Sequence, residues 1–157
     1  MSDPEVDHLS DLGDLYQEVI VDHSMHPHNY HAMADATRQA EGYNPLCGDQ
    51  VTVYLKLEGD RIQDISFEGK GCAISKASAS VMTEVLKDKT QGQADAMFKT
   101  FHGLITGDPP AADEASLGKL AAFSGVHEFP TRVKCAILAW HTLRSALEAK
   151  KGTVSTE

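Results

Sequence analysis

Four side chains in this sequence are placed to share one ion. Cys47 and Asp49 flank Gly48 in Asn44-Pro45-Leu46-Cys47-Gly48-Asp49. Cys72 closes Glu68-Gly69-Lys70-Gly71-Cys72, and Cys135 follows Arg132-Val133-Lys134. Three thiolates and one carboxylate suit tetrahedral zinc, which accepts sulfur readily and oxygen less often. Gly48 lets the backbone turn so that Cys47 and Asp49 point to one side. Gly69 and Gly71 allow a close backbone approach and leave room for an ion. Such a site carries a formal charge of about −2, which Arg132 and Lys134 are placed to offset. Cys72 and Cys135 fall near expected helix N-termini, where the helix dipole lowers a thiol pKa and improves the thiolate as nucleophile and ligand. The residues alone leave a second reading open. Free cysteines are among the most buried residue types and can serve only as packing, Asp49 can be a turn former, and Arg132 and Lys134 can be solvated charges at a helix start.

The elements that must position these residues can be read from periodicity. Leu12, Leu15, Tyr16, Val19 and Ile20 form an apolar stripe at helical spacing, which predicts a first helix from about Ser10 to His23. From Arg38 the period becomes two. Val51, Val53, Leu55 and Leu57 mark a half-buried strand, Gly59-Asp60 a turn, and Arg61 to Glu68 a returning strand. Ile62 is out of phase with Ile65 and Phe67, which calls for a bulge or a late strand start. Arg38 to Tyr43 adds a polar edge strand. Ile74, Ala77, Val81 and Val85 predict a helix just after Cys72, and Met97, Phe98, Phe101, Leu104 and Ile105 another, capped by Thr90. Thr106 to Asp113 reads as a loop, and Leu117, Leu120 and Ala121 as a short helix. Val133, Ile137, Trp140, Leu143 and Leu147 stripe a last helix with Thr131 as N-cap and Cys135 off the stripe. The expected class is α+β: a small antiparallel meander of about three strands with helices packed on one face.

Bulk properties narrow the function. At 157 residues the chain fits one domain, 1–157, with a core at about 9–148 and short polar tails. A formal charge of −9 argues against nucleic acid and against an anionic membrane surface. No apolar run is long enough for a membrane span and the acidic N-terminus is no leader, so the cytoplasm is the expected compartment. Three cysteines, none in a CxxC pair, do not make a secreted disulfide framework. His23, His26, His28 and His31 read as a solvated turn rather than a second metal site.

Four segments together, in order, carry a resemblance: Leu15-Tyr16-Gln17-Glu18-Val19-Ile20-Val21-Asp22-His23, Asn44-Pro45-Leu46-Cys47-Gly48-Asp49, Phe67-Glu68-Gly69-Lys70-Gly71-Cys72-Ala73-Ile74-Ser75, and Arg132-Val133-Lys134-Cys135-Ala136. From about Leu9 to Leu147 the chain resembles the IscU-like (NifU N-terminal) iron–sulfur assembly proteins, and more closely their zinc-containing SufU branch. The classical scaffold has a histidine directly before its last cysteine, where this chain has Lys134. The SufU branch has an extra segment there, matched by Pro109 to Phe129. His26-Pro27-His28-Asn29-Tyr30 departs from the family's usual Pro-Arg-Asn.

The resemblance implies a zinc site at Cys47, Asp49, Cys72 and Cys135, with Arg132 near the metal. It implies a sulfurtransferase-type carrier that takes persulfide sulfur on Cys47 from a pyridoxal-phosphate cysteine desulfurase (SufS type), a desulfurase histidine replacing Cys47 on zinc. Downstream iron–sulfur assembly proteins are the other expected partners. The alternative is a scaffold holding a nascent iron–sulfur cluster on the same ligands. A purely structural zinc module is disfavoured by Asp49, since such sites usually complete their shell with Cys or His.

Overall fold

The computed structural model describes residues 18–107, 114–149 and 153–155. In chain order these form α1 (18–25), β1 (Arg38–Asn44), β2 (Asp49–Glu58), β3 (Arg61–Lys70), α2 (Ala73–Leu86), α3 (Gln91–Thr106), a 3₁₀ segment (Glu114–Glu128), α4 (Pro130–Leu147) and β4 (Thr153–Ser155). The sheet order is β3-β2-β1-β4. The first three strands form the antiparallel meander expected from the sequence, and β4 runs parallel to β1. Leu12, Leu15 and Tyr16 of the expected first helix lie outside the described residues, as does the proline pair of the expected loop.

The strands follow their two-residue period closely. Asp49, Val51, Val53 and Leu55 of β2 face the core, and so do Ala40, Gly42 and Asn44 of β1. A bulge resolves the phase of β3. Lys56 pairs with Asp64 and Leu57 with Ile62, so Gln63 has no partner and Ile62 joins Ile65 on the inner face. Two expectations change at the sheet edge. The C-terminal tail supplies β4, so β1 is flanked over Glu41–Tyr43 instead of forming an edge. A three-residue parallel strand has no periodicity to betray it.

Helices cover the inner face: α4 packs on β1 and β2, and α2 on β3. Contact between α4 and β1 is close enough that a Cβ at Gly42 would strike Thr142 Oγ1. Trp140 is fully buried, stacks on Phe101 at 4.8 Å between centroids, and donates its indole N–H to Ser78 Oγ at 3.2 Å. From Cys135 to Trp140 every residue of α4 is buried, so the helix has no exposed side there for Cys135 to occupy. Its N-cap is Phe129, with Pro130 opening the helix, and not Thr131. The fixed φ of proline suits a first helical position whose N–H needs no partner. Thr90 does cap α3, through a reciprocal capping box with Gln93. The short helix around Leu120 is a 3₁₀ segment broken at Gly118, where φ is 57°. Leu120, Ala121, Phe123 and Val126 of that segment are buried.

Candidate metal centre

The site forms where three elements meet at one end of the inner sheet face. Asp49 opens β2 on its core-facing side and is fully buried. Its cross-strand partner is Asn44, the last core-facing residue of β1. Cys47 sits in the four-residue connection between them, exposed to solvent, with Gly48 at φ 69° making the return. Cys72 is the N-cap of α2, where its Sγ accepts the Ser75 N–H at 3.4 Å. Cys135 arrives on the second turn of α4, laid over the same strands.

One ligand atom each from Cys47, Asp49 and Cys135 lies within 4.8 Å of the others. The Cys135 and Cys47 sulfurs are 3.2 Å apart. Cys72 joins through Asp49: its Sγ is 4.0 Å from Oδ2, and its backbone N–H donates to Oδ1 at 2.8 Å. Glycine is required beside this carboxylate, because a Cβ at Gly71 would overlap Asp49 Oδ1. Two sulfurs and one oxygen thus form a cluster that could hold a metal, and Cys72, whose Sγ falls outside that mutual 4.8 Å, would complete a donor set suited to tetrahedral zinc. Sulfurs about 3.8 Å apart correspond to a tetrahedron with metal–sulfur bonds of about 2.3 Å, a small opening from the spacing of Cys47 and Cys135.

One electrostatic expectation is overturned. Burial, followed by contact with Asp49, Cys47 and Cys72, pushes the Cys135 thiol well above the ordinary cysteine range. Desolvation and a buried carboxylate outweigh the helix dipole at this position. Arg132 also differs from the simple picture of a counter-charge. Its guanidinium lies over the Phe129 ring at 4.9 Å, and both residues line a cleft of about 820 Å³ that opens onto Cys47, Cys72 and Cys135. Ile20 and Val21 of α1 and Ala122 and Val126 of the 3₁₀ segment form its apolar walls. Lys134 is half-buried on the same turn and does not line this cleft. Neither Arg132 nor Lys134 makes an ion pair among the described residues.

The histidine segment is not a simple solvated turn. His23 is buried, with Nδ1 2.7 Å from Ser80 Oγ, while the His28 ring lies against it, tilted by 38° at 4.4 Å between centroids. Asp22, His23 and His28 bring ligand atoms within 4.8 Å. Lys119 Nζ already stands 3.5 Å from His23 Nε2 and 3.1 Å from both Glu84 oxygens. The ammonium caps an imidazole–carboxylate pair whose Nε2 and Oε2 are themselves 3.7 Å apart, and the cluster ties α1 and the 3₁₀ segment to α2. His23 is missed from the sequence because it lies one turn beyond the apolar stripe that marks α1.

Both the sequence and the fold match known proteins. The NifU-like N-terminal domain family matches residues 15–150. The chain belongs to that family. Among its relatives, the iron–sulfur cluster assembly scaffold protein IscU of Streptococcus pyogenes serotype M1 is 40% identical over 89% of this chain and 87% of its own length. The zinc-dependent sulfurtransferase SufU of Bacillus subtilis is 39% identical over 91% of this chain and 96% of its own. A crystal structure from Fervidobacterium islandicum AW-1, described as an iron–sulfur cluster assembly scaffold protein for the SUF system, is 42% identical. It superposes with a TM-score of 0.77 over 83% of this chain and 94% of that one. The IscU/SufU-like fold and family expected from the sequence are those observed. Among the described residues no helix is long and apolar enough to cross a membrane.

Proposed function

We propose that this family member is a zinc-dependent sulfur acceptor that takes persulfide sulfur from a cysteine desulfurase and passes it on to later iron–sulfur assembly proteins in the cytoplasm. The observation that carries this reading is the unequal exposure of the three cysteines: Cys47 is exposed on a turn, Cys72 is half-buried, and Cys135 is buried. Asp49, Cys72 and Cys135 are the ligands held by regular structure, and Cys47 is the one free to move. When bound, zinc keeps the thiolates deprotonated and tolerates ligand exchange without redox change. Cys47 then attacks the outer sulfur of a partner persulfide. A new S–S bond forms to Cys47, the partner's S–S bond breaks, and the partner leaves as a thiolate. The cleft beside Cys47 gives the partner's loop an apolar seat, and Arg132 offers it a positive charge.

The test is to mix the protein with a cysteine desulfurase and free cysteine and to map persulfide by mass spectrometry. Sulfur on Cys47, lost in Cys47→Ser, supports the reading; sulfur first on Cys72 or Cys135 rejects it. The similarity to a relative named as an IscU scaffold favours a second reading, a nascent cluster on the same ligands. Elemental analysis of protein purified without added metal separates the two: near-stoichiometric zinc for the acceptor, iron with sulfide for the scaffold.

A further inference from the structure

Asn44 is fully buried at the end of β1, yet its side-chain amide is not spent on backbone alone. Its Nδ2 donates to Asp49 Oδ2 at 3.3 Å and to Cys135 Sγ at 3.4 Å, spanning residues 5 and 91 positions away. Its Oδ1 accepts the Leu46 N–H at 3.3 Å, which shapes the turn that carries Cys47. A buried amide needs such partners, since leaving them unmade is costly. The choice of partners is what matters here. The amide N–H groups reach one carboxylate and one sulfur of the candidate site. The Ser75 N–H reaches a second sulfur, that of Cys72. Cys47 is the sulfur that receives no N–H among the described residues; its contact is with Cys135 Sγ.

We infer that Asn44 is a positioning residue of the metal centre, bracing Asp49 and Cys135 so that the ion stays seated while Cys47 departs. The inference rests on the sulfur-acceptor reading for its purpose, but its geometry is independent of that reading. Hydrogen bonds from outer groups fix the orientation of ligating side chains, and their loss typically weakens metal affinity about 10- to 100-fold. Asn44 supplies two such bonds at once from one strand end, to Asp49 and Cys135, and the start of α2 supplies two more, from the Cys72 N–H to Asp49 and from the Ser75 N–H to Cys72. Cys47 is left as the mobile ligand by this pattern as well as by its exposure. A further consequence is that Asn44 matters most when Cys47 is off the ion, because Asp49, Cys72 and Cys135 then hold it alone.

The experiment measures zinc release to a competing chelator from the protein as isolated, in the wild-type and Cys47→Ser backgrounds. Asn44→Ser keeps an oxygen that can accept the Leu46 N–H but is too short to reach Asp49 and Cys135 together. Asn44→Ala removes every bond. A brace predicts that both variants weaken zinc binding about 10- to 100-fold, with the larger loss in the Cys47→Ser background. A residue that only shapes the turn predicts that Asn44→Ser restores wild-type binding lost in Asn44→Ala. Zinc affinity within threefold of the parent for Asn44→Ser in both backgrounds overturns the inference. The Ser variant carries the test if the Ala variant does not fold. No desulfurase enters the measurement. Failure of the wild type to accept sulfur therefore counts against the proposed function, while unchanged zinc binding in Asn44→Ser counts against the brace.

Discussion

The Asp49 carboxylate accepts the backbone N–H of Cys72 at 2.8 Å, which fastens the first inward residue of β2 to the N-cap of α2. The bond joins residues 23 positions apart and does two things together. It satisfies a donor that a helix start would otherwise leave free, and it orients a buried carboxylate whose other oxygen faces the sulfurs of the site.

Cys72 therefore has separable roles as cap and as proposed ligand. Serine is among the best N-caps and keeps an acceptor for the Ser75 N–H, whereas alanine does not. Both substitutions should lower zinc content by elemental analysis. In denaturant melts of the purified proteins, Cys72→Ser should exceed Cys72→Ala by about 1 kcal/mol. Full zinc content in either variant would remove Cys72 from the ligand set.

Gly71 tests how tightly the carboxylate is boxed in. Its φ of 154° and the overlap of a Cβ with Asp49 leave no room for a side chain. Gly71→Ala should destabilise by at least about 2 kcal/mol and reduce zinc binding in parallel. Gly125 is the control, because a Cβ there meets nothing within 4 Å. Equal melting of Gly71→Ala and Gly125→Ala would mean that Asp49 does not need this glycine.

Much of the site could be read from sequence because its parts lie on strongly patterned elements. The alternation of β2 carries Asp49 inward together with Val51 and Val53, and the glycine-rich strand end before Cys72 marks a close approach. Cys135 was harder to place. Its helix is buried on all sides over 135–140, so the stripe at Val133, Ile137 and Trp140 understates what is covered. The dipole argument for a lowered thiol pKa fails there for the same reason, since desolvation dominates once the group is enclosed. Asn44 carried no local signal, and His23 only its place one turn beyond the apolar stripe of α1. Their partners, Cys135 at 91 residues' distance and Ser80 at 57, exist only in the folded chain.

His23 gives the fold a dependence on pH. Burial lowers its pKa below the ordinary 6.5, helped by the nearby His28 and Lys119 charges, against weaker raising effects from Glu84 and Asp22. The unfolded chain thus binds the proton more readily than the folded one. The contribution is fully present above pH 6.5 and is lost as pH falls from there through the lower folded value. Chemical denaturation between pH 7.5 and 5 should show wild type losing more stability than His23→Gln. Parallel curves for the two proteins would show that His23 does not titrate differently on folding.

Arg132 offers the sharpest separation of function from folding. Its side chain is exposed, lies over the Phe129 ring, and lines the cleft beside Cys47 without an ion pair among the described residues. An exposed stacking of this kind contributes only about 0.5–1 kcal/mol, so Arg132→Ala should melt close to wild type and keep its zinc. Sulfur acceptance is another matter. On the proposed sulfur-acceptor reading, this guanidinium, without an ion pair among the described residues, meets an anionic group on the desulfurase, and its loss should slow transfer mainly at low partner concentration. Arg132→Lys should recover part of the rate by restoring charge, but not all, because lysine stacks less well and cannot form a bidentate contact. The measurement is the rate of persulfide formation on Cys47 as a function of desulfurase concentration and salt. Wild-type rates in Arg132→Ala at all concentrations would leave the stacked arginine a surface residue with no part in partner engagement. A uniform loss accompanied by missing zinc would place it instead in support of the metal centre.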